Sequence, residues 1–152
     1  MFRLCFRYIK SQADCEDVMI VAFTKVYNHV NGFNYAGEGS FKGWIKKIMI
    51  NESLMWLRRR HNFHLTESLD ESTPAPTLEQ FSNLEMEDIY RLITELPVGY
   101  RTVFNLCVVE GYDHQEIATL LDITESTSRS QLFKAKALLK KMLTKEGFHY
   151  GT

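Results

Sequence analysis

Tyr112 to Leu139 reads YDHQEIATLLDITESTSRSQLFKAKALL, and this stretch decides the fold. Asp113-His114-Gln115-Glu116 has the spacing of a capping box, in which the acid accepts from a helical N–H and the Glu bonds back to the capping residue. It opens a short helix with Ile117, Ala118 and Leu121 inside. Asp122-Ile123-Thr124 makes a tight turn, and Asp tolerates the positive φ such a turn often demands. Thr124 caps a last, long helix to about Lys145. A short helix, a three-residue turn and a longer basic helix are the grammar of a helix-turn-helix. Ile117, Leu121, Ile123, Leu132 and Ala135 form its shared core, and small Ala118 lets the helices approach. With Ser128, Leu132, Ala135 and Leu139 inward, the opposite face shows Glu125, Arg129, Ser130, Phe133 and Lys134. Such groups at the front of a helix reach base edges in a major groove. An ordinary helical hairpin fits the same spacing.

Upstream, Ser82-Asn83-Leu84-Glu85 matches a second capping box, opening a helix to about Leu96. Pro97 starts the next helix, which ends near Glu110-Gly111. The first half of the chain is also helical in pattern. From Ala13 to Val30 the residues Val18, Ala22, Phe23, Val26, Tyr27 and Val30 recur at helical spacing, with Phe23, Val26 and Val30 expected against the rest of the domain. Asn31-Gly32 stops that helix. A loop with two glycines follows, and Ser40 caps a helix from Phe41 to about Arg60 with Phe41, Ile45, Ile48 and Leu57 inward. No alternating strand pattern appears, so the fold class is all-α.

Between the halves, His61 to Ser82 carries Pro74, Pro76 and many Ser, Thr and acidic residues, and has little periodicity. It reads as a flexible acidic linker. The expected organisation is a first helical domain over 1–62, a linker over 63–82 and a second domain over 83–146. Protease is expected to cut first between about His64 and Ser82.

Composition agrees with a soluble globular chain. Of 152 residues, 45% are hydrophobic and 24% charged, and the net charge is −1. That near-neutral total conceals a segregation. Lys42, Lys46, Lys47, Arg58, Arg59 and Arg60 form one basic stretch, and Arg129, Lys134, Lys136, Lys140, Lys141 and Lys145 another. An acidic block separates them. Two basic faces able to sit on phosphates are compatible with this pattern, as are two solvated helix faces. No apolar run is long enough to span a bilayer, and Arg3, Arg7 and Lys10 interrupt any signal-peptide core, so no membrane insertion is expected. Cys5, Cys15 and Cys107 have no metal-ligand spacing and read as reduced thiols of a cytoplasmic protein, two of them packed as small hydrophobes. His61 and His64 have no acidic or Cys partner beside them. There is no Ser-His-Asp set, metal cluster or glycine-rich phosphate loop, so neither an enzyme nor a cofactor is expected.

Longer blocks sharpen the reading. Leu96-Pro97-Val98-Gly99-Tyr100-Arg101-Thr102-Val103-Phe104, Glu110-Gly111-Tyr112, Glu116-Ile117-Ala118 and Thr127 to Lys136 resemble region four of bacterial extracytoplasmic-function (ECF) sigma factors. Asp14-Cys15-Glu16-Asp17-Val18 with Phe23 looks like the polymerase-binding segment of their region two. Gly39-Ser40-Phe41-Lys42-Gly43-Trp44-Ile45, Asn51 and Leu57-Arg58-Arg59-Arg60 look like its minus-ten segment. The resemblance covers nearly the whole chain, and two such blocks in this order are far more specific than a lone helix-turn-helix. It implies a protein that joins core RNA polymerase, melts promoter DNA, directs initiation and has an anti-sigma factor as partner.

The resemblance also assigns residues. Arg129, Ser130, Phe133 and Lys134 match positions that read the minus-thirty-five element, and Thr127 and Gln131 match positions on or near phosphate. Asn51 and the loop from Phe33 to Phe41 match the pocket for a flipped minus-ten base, with Lys46, Arg58 and Arg59 on the same segment. Phe33, Phe41 and Trp44 also fit plain core aromatics. Asp14, Glu16, Asp17 and Ile20 match the polymerase contact.

The chain departs from the family pattern at several of these places. Ile20 and Val21 stand where a Gln and an acid are usual, which puts polymerase binding in question. Met55 replaces a frequent Asp and Ser126 a frequent Gly. Gln131 and Lys134 replace frequent Arg residues, and Lys lacks the bidentate fork, which implies a weakened or shifted promoter preference. Family members usually carry a further helix ahead of the position of Met1, so the apolar Phe2, Leu4, Cys5, Phe6, Tyr8 and Ile9 are expected to need a covering partner. Other readings are a degenerate sigma-like protein that binds DNA or an anti-sigma factor without productive polymerase binding, and a stand-alone helix-turn-helix regulator. The regulator would need residues 1–60 to be a sensor, and they show no ligand or phosphoacceptor pattern.

Overall fold

The computed structural model describes residues 1–63 and 86–146. Among these every regular element is helical. The chain divides into two compact units, Met1–His61 and Asn62–Thr152. The linker expected over 63–82, its protease site and the capping box at Ser82–Glu85 fall, apart from Phe63, outside the described residues.

Unit 1 packs three helices: α1 (Phe2–Ile9), α2 (Gln12–His29) and α3 (Ser40–Arg60). Ser11 caps α2, its side chain accepting from Asp14 N–H. The cap lies two residues before the expected start because Gln12 and Ala13 continue the helix without adding to the apolar pattern. A single turn of 3₁₀ helix, Val30–Gly32, ends this segment at the expected stop. Gly39, with φ of 82°, occupies the N-cap of α3 that was expected of Ser40. That backbone favours glycine. Ser40 is the first helical residue, and its hydroxyl accepts from Ala36 N–H at 3.3 Å.

The core of unit 1 is Leu4, Cys5, Tyr8 and Ile9 with Cys15, Val18 and Ala22 and with Met49, Ile50, Leu54 and Leu57. Cys5 and Cys15 are fully buried, and burial, with Cys5 and Asp14 nearby, pushes the Cys15 thiol up to about 12. On α2 the inward set is smaller than expected. Val18 and Ala22 are buried, whereas Phe23, Tyr27 and Val30 are exposed, Tyr27 at 80%. Helix lengths explain this: eight residues of α1 span about 12 Å, against about 27 Å for the eighteen of α2. The second half of α2 therefore keeps an uncovered apolar side among the described residues. Phe41 is likewise exposed, and Ile45 and Ile48 are half-buried.

Unit 2 contains α4 (Met86–Glu95), α5 (Val98–Phe104), α6 (His114–Leu121) and α7 (Glu125–Lys145). Asn105–Val109 continues α5 as a π-helical turn, and Gly111 at φ 81° ends it where expected. Leu92, Ile93, Leu96, Tyr100, Val103, Phe104, Leu106, Ile117, Leu121, Ala135, Leu139 and Leu143 fill the core. Arg101 is buried too, and its guanidinium donates to the carbonyls of Leu96 at 2.9 Å and Thr94 at 3.4 Å. It thereby closes the C-terminal end of α4, whose last carbonyls have no helical partner. Arg91 grips Glu146 through two bonds of 2.8 and 2.7 Å, tying α4 to the end of α7.

Candidate nucleic-acid interface

The helix-turn-helix forms as its local chemistry requires. Asp113 accepts from Glu116 N–H at 2.8 Å, and Glu116 accepts from Asp113 N–H at 2.9 Å, completing the capping box. Asp122 takes the left-handed conformation, φ 55° and ψ 48°. Thr124 caps α7, its hydroxyl accepting from Thr127 N–H at 3.0 Å. Helices α6 and α7 pack together, and Ile117 and Leu121 on α6 and Ser128, Leu132, Ala135 and Leu139 on α7 are all buried.

Two residues that no local pattern pairs complete this packing. His114 Nδ1 lies 2.8 Å from Ser128 Oγ, joining the first turn of α6 to α7. Burial, and then Arg129 nearby, lower the His114 pKa from its ordinary value. Fourteen residues separate the pair, so only the fold brings them together.

Front residues of α7 differ in access. Arg129 is exposed and paired with Glu125 at 2.8 Å. Thr127, Ser130 and Phe133 are half-buried on the open side. Gln131 and Lys134 are buried, at 1% and 8% exposed. At about 100° per residue, Lys134 lies about 40° from Ser130 and about 60° from Gln131, between the open side and the flank toward α5. The expected outward placement of Lys134 therefore does not hold in this conformation. Gln131 packs against Gly99 of α5, where a Cβ would meet its Oε1 at 3.2 Å. Its Nε2 donates to the carbonyl of Phe63 at 3.0 Å.

In unit 1, Phe33, Phe41 and Trp44 form an aromatic cluster with ring centroids 5.1–5.9 Å apart. None of the three is buried. Trp44, Asn51 and Arg58 recur every seven residues and so lie on one side of α3, with Phe41, Met55 and Arg59 beside them. Asn51, Met55, Arg58 and Arg59 are exposed. This strip joins the aromatic cluster to the basic end of the helix. Lys46 is half-buried and about 140° around α3 from Phe41, so it is not brought onto the strip. Arg60 stacks over Trp56 at 4.1 Å and approaches Asp14 at 3.9 Å.

On α2, Glu16 and Asp17 are exposed and Asp14 is half-buried. Ile20 is 65% exposed, and Val21 is exposed beside it. Asp17 and Val21 line a groove of about 220 Å³ between α2 and α3, with Met55 and Arg59 on its far wall. Lys25 and Glu52, an ion pair absent from the sequence reading, close one end of it. Glu16 and Ile20 instead line an apolar hollow of about 770 Å³ with Phe2, Met19, Phe23 and Tyr27. Glu16, Asp17 and Ile20 of the expected polymerase contact thus border two depressions on α2, and Asp14 lines neither. No helix among the described residues is long and apolar enough to cross a membrane.

Comparison with known proteins agrees with this geometry. The profile of Sigma-70 region 2 matches residues 1–63, and that of Sigma-70, region 4 matches residues 86–139. The chain is 30% identical over 152 residues to an ECF RNA polymerase sigma factor SigE of Mycolicibacterium smegmatis, covering 95% of this chain and 58% of that protein. It is 26% identical over 145 residues to RNA polymerase sigma factor SigV of Bacillus subtilis, covering 95% of this chain and 85% of that protein. It is 29% identical over 147 residues to the ECF RNA polymerase sigma-E factor of Escherichia coli, covering 88% and 75%. The chain spans little more than half the length of the first of these relatives. With both sigma regions present in order on an all-helical fold, the chain belongs to the Sigma-70 family and, within it, to the ECF RNA polymerase sigma factors.

Proposed function

We propose that this protein joins core RNA polymerase and directs promoter recognition at transcription initiation, acting as a non-enzymatic DNA-binding factor inside the cell. The observation that carries this is the pairing of two nucleic-acid-compatible surfaces in one chain. One is the open face of α7 with Arg129, Ser130 and Phe133. The other is the Phe33–Phe41–Trp44 cluster continuous with Asn51, Arg58 and Arg59.

The first surface serves the minus-thirty-five duplex. Arg129, Ser130, Phe133 and Lys134 are the reading residues, and Thr127 and Gln131 lie on or near phosphate. The second serves the minus-ten element. A base leaving the stack costs a few kcal/mol, and a pocket with stacking and hydrogen-bonding groups offsets that cost. The aromatic cluster and Asn51 supply both kinds of group, while Arg58 and Arg59 supply positive charge and Lys46 adds to it only from another side of α3. Asp14, Glu16, Asp17 and Ile20 on α2 face the polymerase, and an anti-sigma factor is the regulatory partner.

A second reading rests on Ile20 and Val21. Both are exposed and neither forms side-chain hydrogen bonds, so a sigma-like DNA-binding protein without productive polymerase binding is its basis. Purified protein, core polymerase and a library of promoter templates separate the two. Template-dependent transcripts starting downstream of a shared pair of elements are the expected result. DNA binding with no transcript, and no stable complex with core polymerase, selects the second reading.

A further inference from the structure

His114 is half-buried at the first turn of α6, and its two ring nitrogens meet different surroundings. Nδ1 lies 2.8 Å from the hydroxyl of Ser128, which is fully buried on the inward face of α7. The two nitrogens of an imidazole point in divergent directions, so holding Nδ1 inward turns the Nε2 edge outward. Protonation leaves the Ser128 contact intact. A neutral ring donates or accepts that hydrogen bond, and an imidazolium donates it through Nδ1 while the hydroxyl accepts.

The charged groups that face this ring come from the cap of α6 and from α7. Burial and then Arg129 lower the His114 pKa, Glu125 and Asp113 oppose them, and Lys136 acts with Arg129. At about 100° per residue, Glu125, Arg129 and Lys136 fall within about 40° of one another, about 60–100° around α7 from Ser128. His114 therefore sits at the border between the inward row of α7 and its open face. Both nearby acids are already engaged: Glu125 holds Arg129 at 2.8 Å, and Asp113 accepts from Glu116 N–H at 2.8 Å. When the second helix of a helix-turn-helix enters a major groove, the first crosses the sugar-phosphate backbone. A side chain on the first turn of α6 that lies against the front of α7 is then beside phosphate.

We propose that His114 is a further duplex contact, its outward Nε2 edge meeting a backbone phosphate as the imidazolium, so that binding takes up one proton. This rests on the reading of α7 as the duplex-reading helix and adds a proton-linked contact from α6. The sign follows from charge. A phosphate places a negative group beside the ring and neutralises part of the Arg129 repulsion. Both effects favour the imidazolium and outweigh the further desolvation that docking brings. A ring that is neutral in the free chain at neutral pH and charged on the duplex makes affinity rise as pH falls.

The test uses the full chain and a short mixed-sequence duplex. Proton NMR follows the His114 ring of the wild-type protein, free and duplex-bound, so this arm needs no variant to fold. The bound ring should titrate at higher pH than the free ring, and titration at the same or lower pH overturns the contact. At fixed ionic strength, affinity should rise severalfold from pH 8 to pH 6, and by no more than about tenfold per pH unit, the limit for one proton. The salt slope should steepen by up to about one over the same range, as one more phosphate is neutralised. His114→Asn keeps a hydrogen-bonding group for Ser128 and no charge, so it should lose both effects. A folded His114→Asn protein with the wild-type pH dependence and salt slopes overturns the proposal. So does a wild-type salt slope that does not change with pH, because a purely structural histidine alters stability and leaves that slope alone. Arg129→Ala tells the two readings apart. Wild-type affinity in that variant removes α7 from the duplex interface, whereas weakened binding together with an unmoved His114 titration overturns the His114 contact alone.

Discussion

His114 and Ser128 are joined at 2.8 Å between the first turn of α6 and the inward face of α7, so the angle of the helix-turn-helix depends on a titratable side chain. The His114 pKa lies below its ordinary 6.5 because of burial first and Arg129 second; Lys136 acts in the same direction, and Glu125 and Asp113 oppose it. The unfolded chain then binds the proton more readily. Stability contributed by neutral His114 is present above about pH 6.5 and is lost as pH falls through the lower folded value. Urea unfolding between pH 8 and pH 5 should show this loss, and His114→Asn should flatten it. The same pH slope in the variant would mean that other groups carry it.

On the open face of α7, Arg129→Ala should weaken binding to every duplex by a similar factor and reduce the salt slope by about one unit if its contact is mainly phosphate. Lys134→Ala should cost about 1–3 kcal/mol on the preferred site and relax selectivity at one or two positions. Filter binding across a panel of duplexes at several salt concentrations measures both. Identical affinities for both variants and wild type on all duplexes would remove α7 from the DNA interface.

Asp122 holds φ at 55°, a region that costs a residue with a β-carbon roughly 1–2 kcal/mol. Asp meets that cost better than most, and a β-branched replacement meets it worst. Asp122→Val should therefore lower unfolding free energy by about 1–2 kcal/mol, with Asp122→Gly near wild type or above it. Calorimetry on the three proteins decides this, and a tolerated Val would show that the turn can rearrange.

Arg101 satisfies the Leu96 and Thr94 carbonyls from a buried position. Hydrogen bonds from a charged group contribute about 1.5–3 kcal/mol, so Arg101→Ala should destabilise the protein by at least about 2 kcal/mol. Arg91→Ala, at an exposed pair, should cost less, about 1 kcal/mol or under. Equal losses for the two would assign Arg101 no special part in closing α4.

Ile20 and Val21 are exposed, so Ile20→Gln with Val21→Glu should change stability by no more than about 0.5 kcal/mol. If the α2 surface contacts core polymerase, the double variant should bind it more tightly, because new hydrogen bonds at an interface contribute about 0.5–1.5 kcal/mol each. A titration of core polymerase gives the answer. No gain in affinity would make the two apolar residues a tolerated variation.

Local chemistry is legible in this sequence wherever one short segment supplies its own partners. The Asp113–Glu116 capping box, the Thr124 cap, the left-handed Asp122 and the stop at Gly111 all formed as the residues require. So did the helical class and the inward row of α7, because periods of three and four residues carry them. The family resemblance was legible for the same reason, since its blocks are contiguous. Tertiary structure decided what depends on neighbours distant in sequence. Phe23 and Tyr27 have the right spacing to be core and are exposed, because burial needs an opposing surface and α1 is too short to provide it along all of α2. Lys134 has the composition of a surface residue and is buried, beside the flank where Gln131 is held by Phe63 and Gly99. His114 and Ser128 meet only because α6 crosses α7. Periodicity determines which residues share a side of a helix, and only packing decides which side is covered and by what.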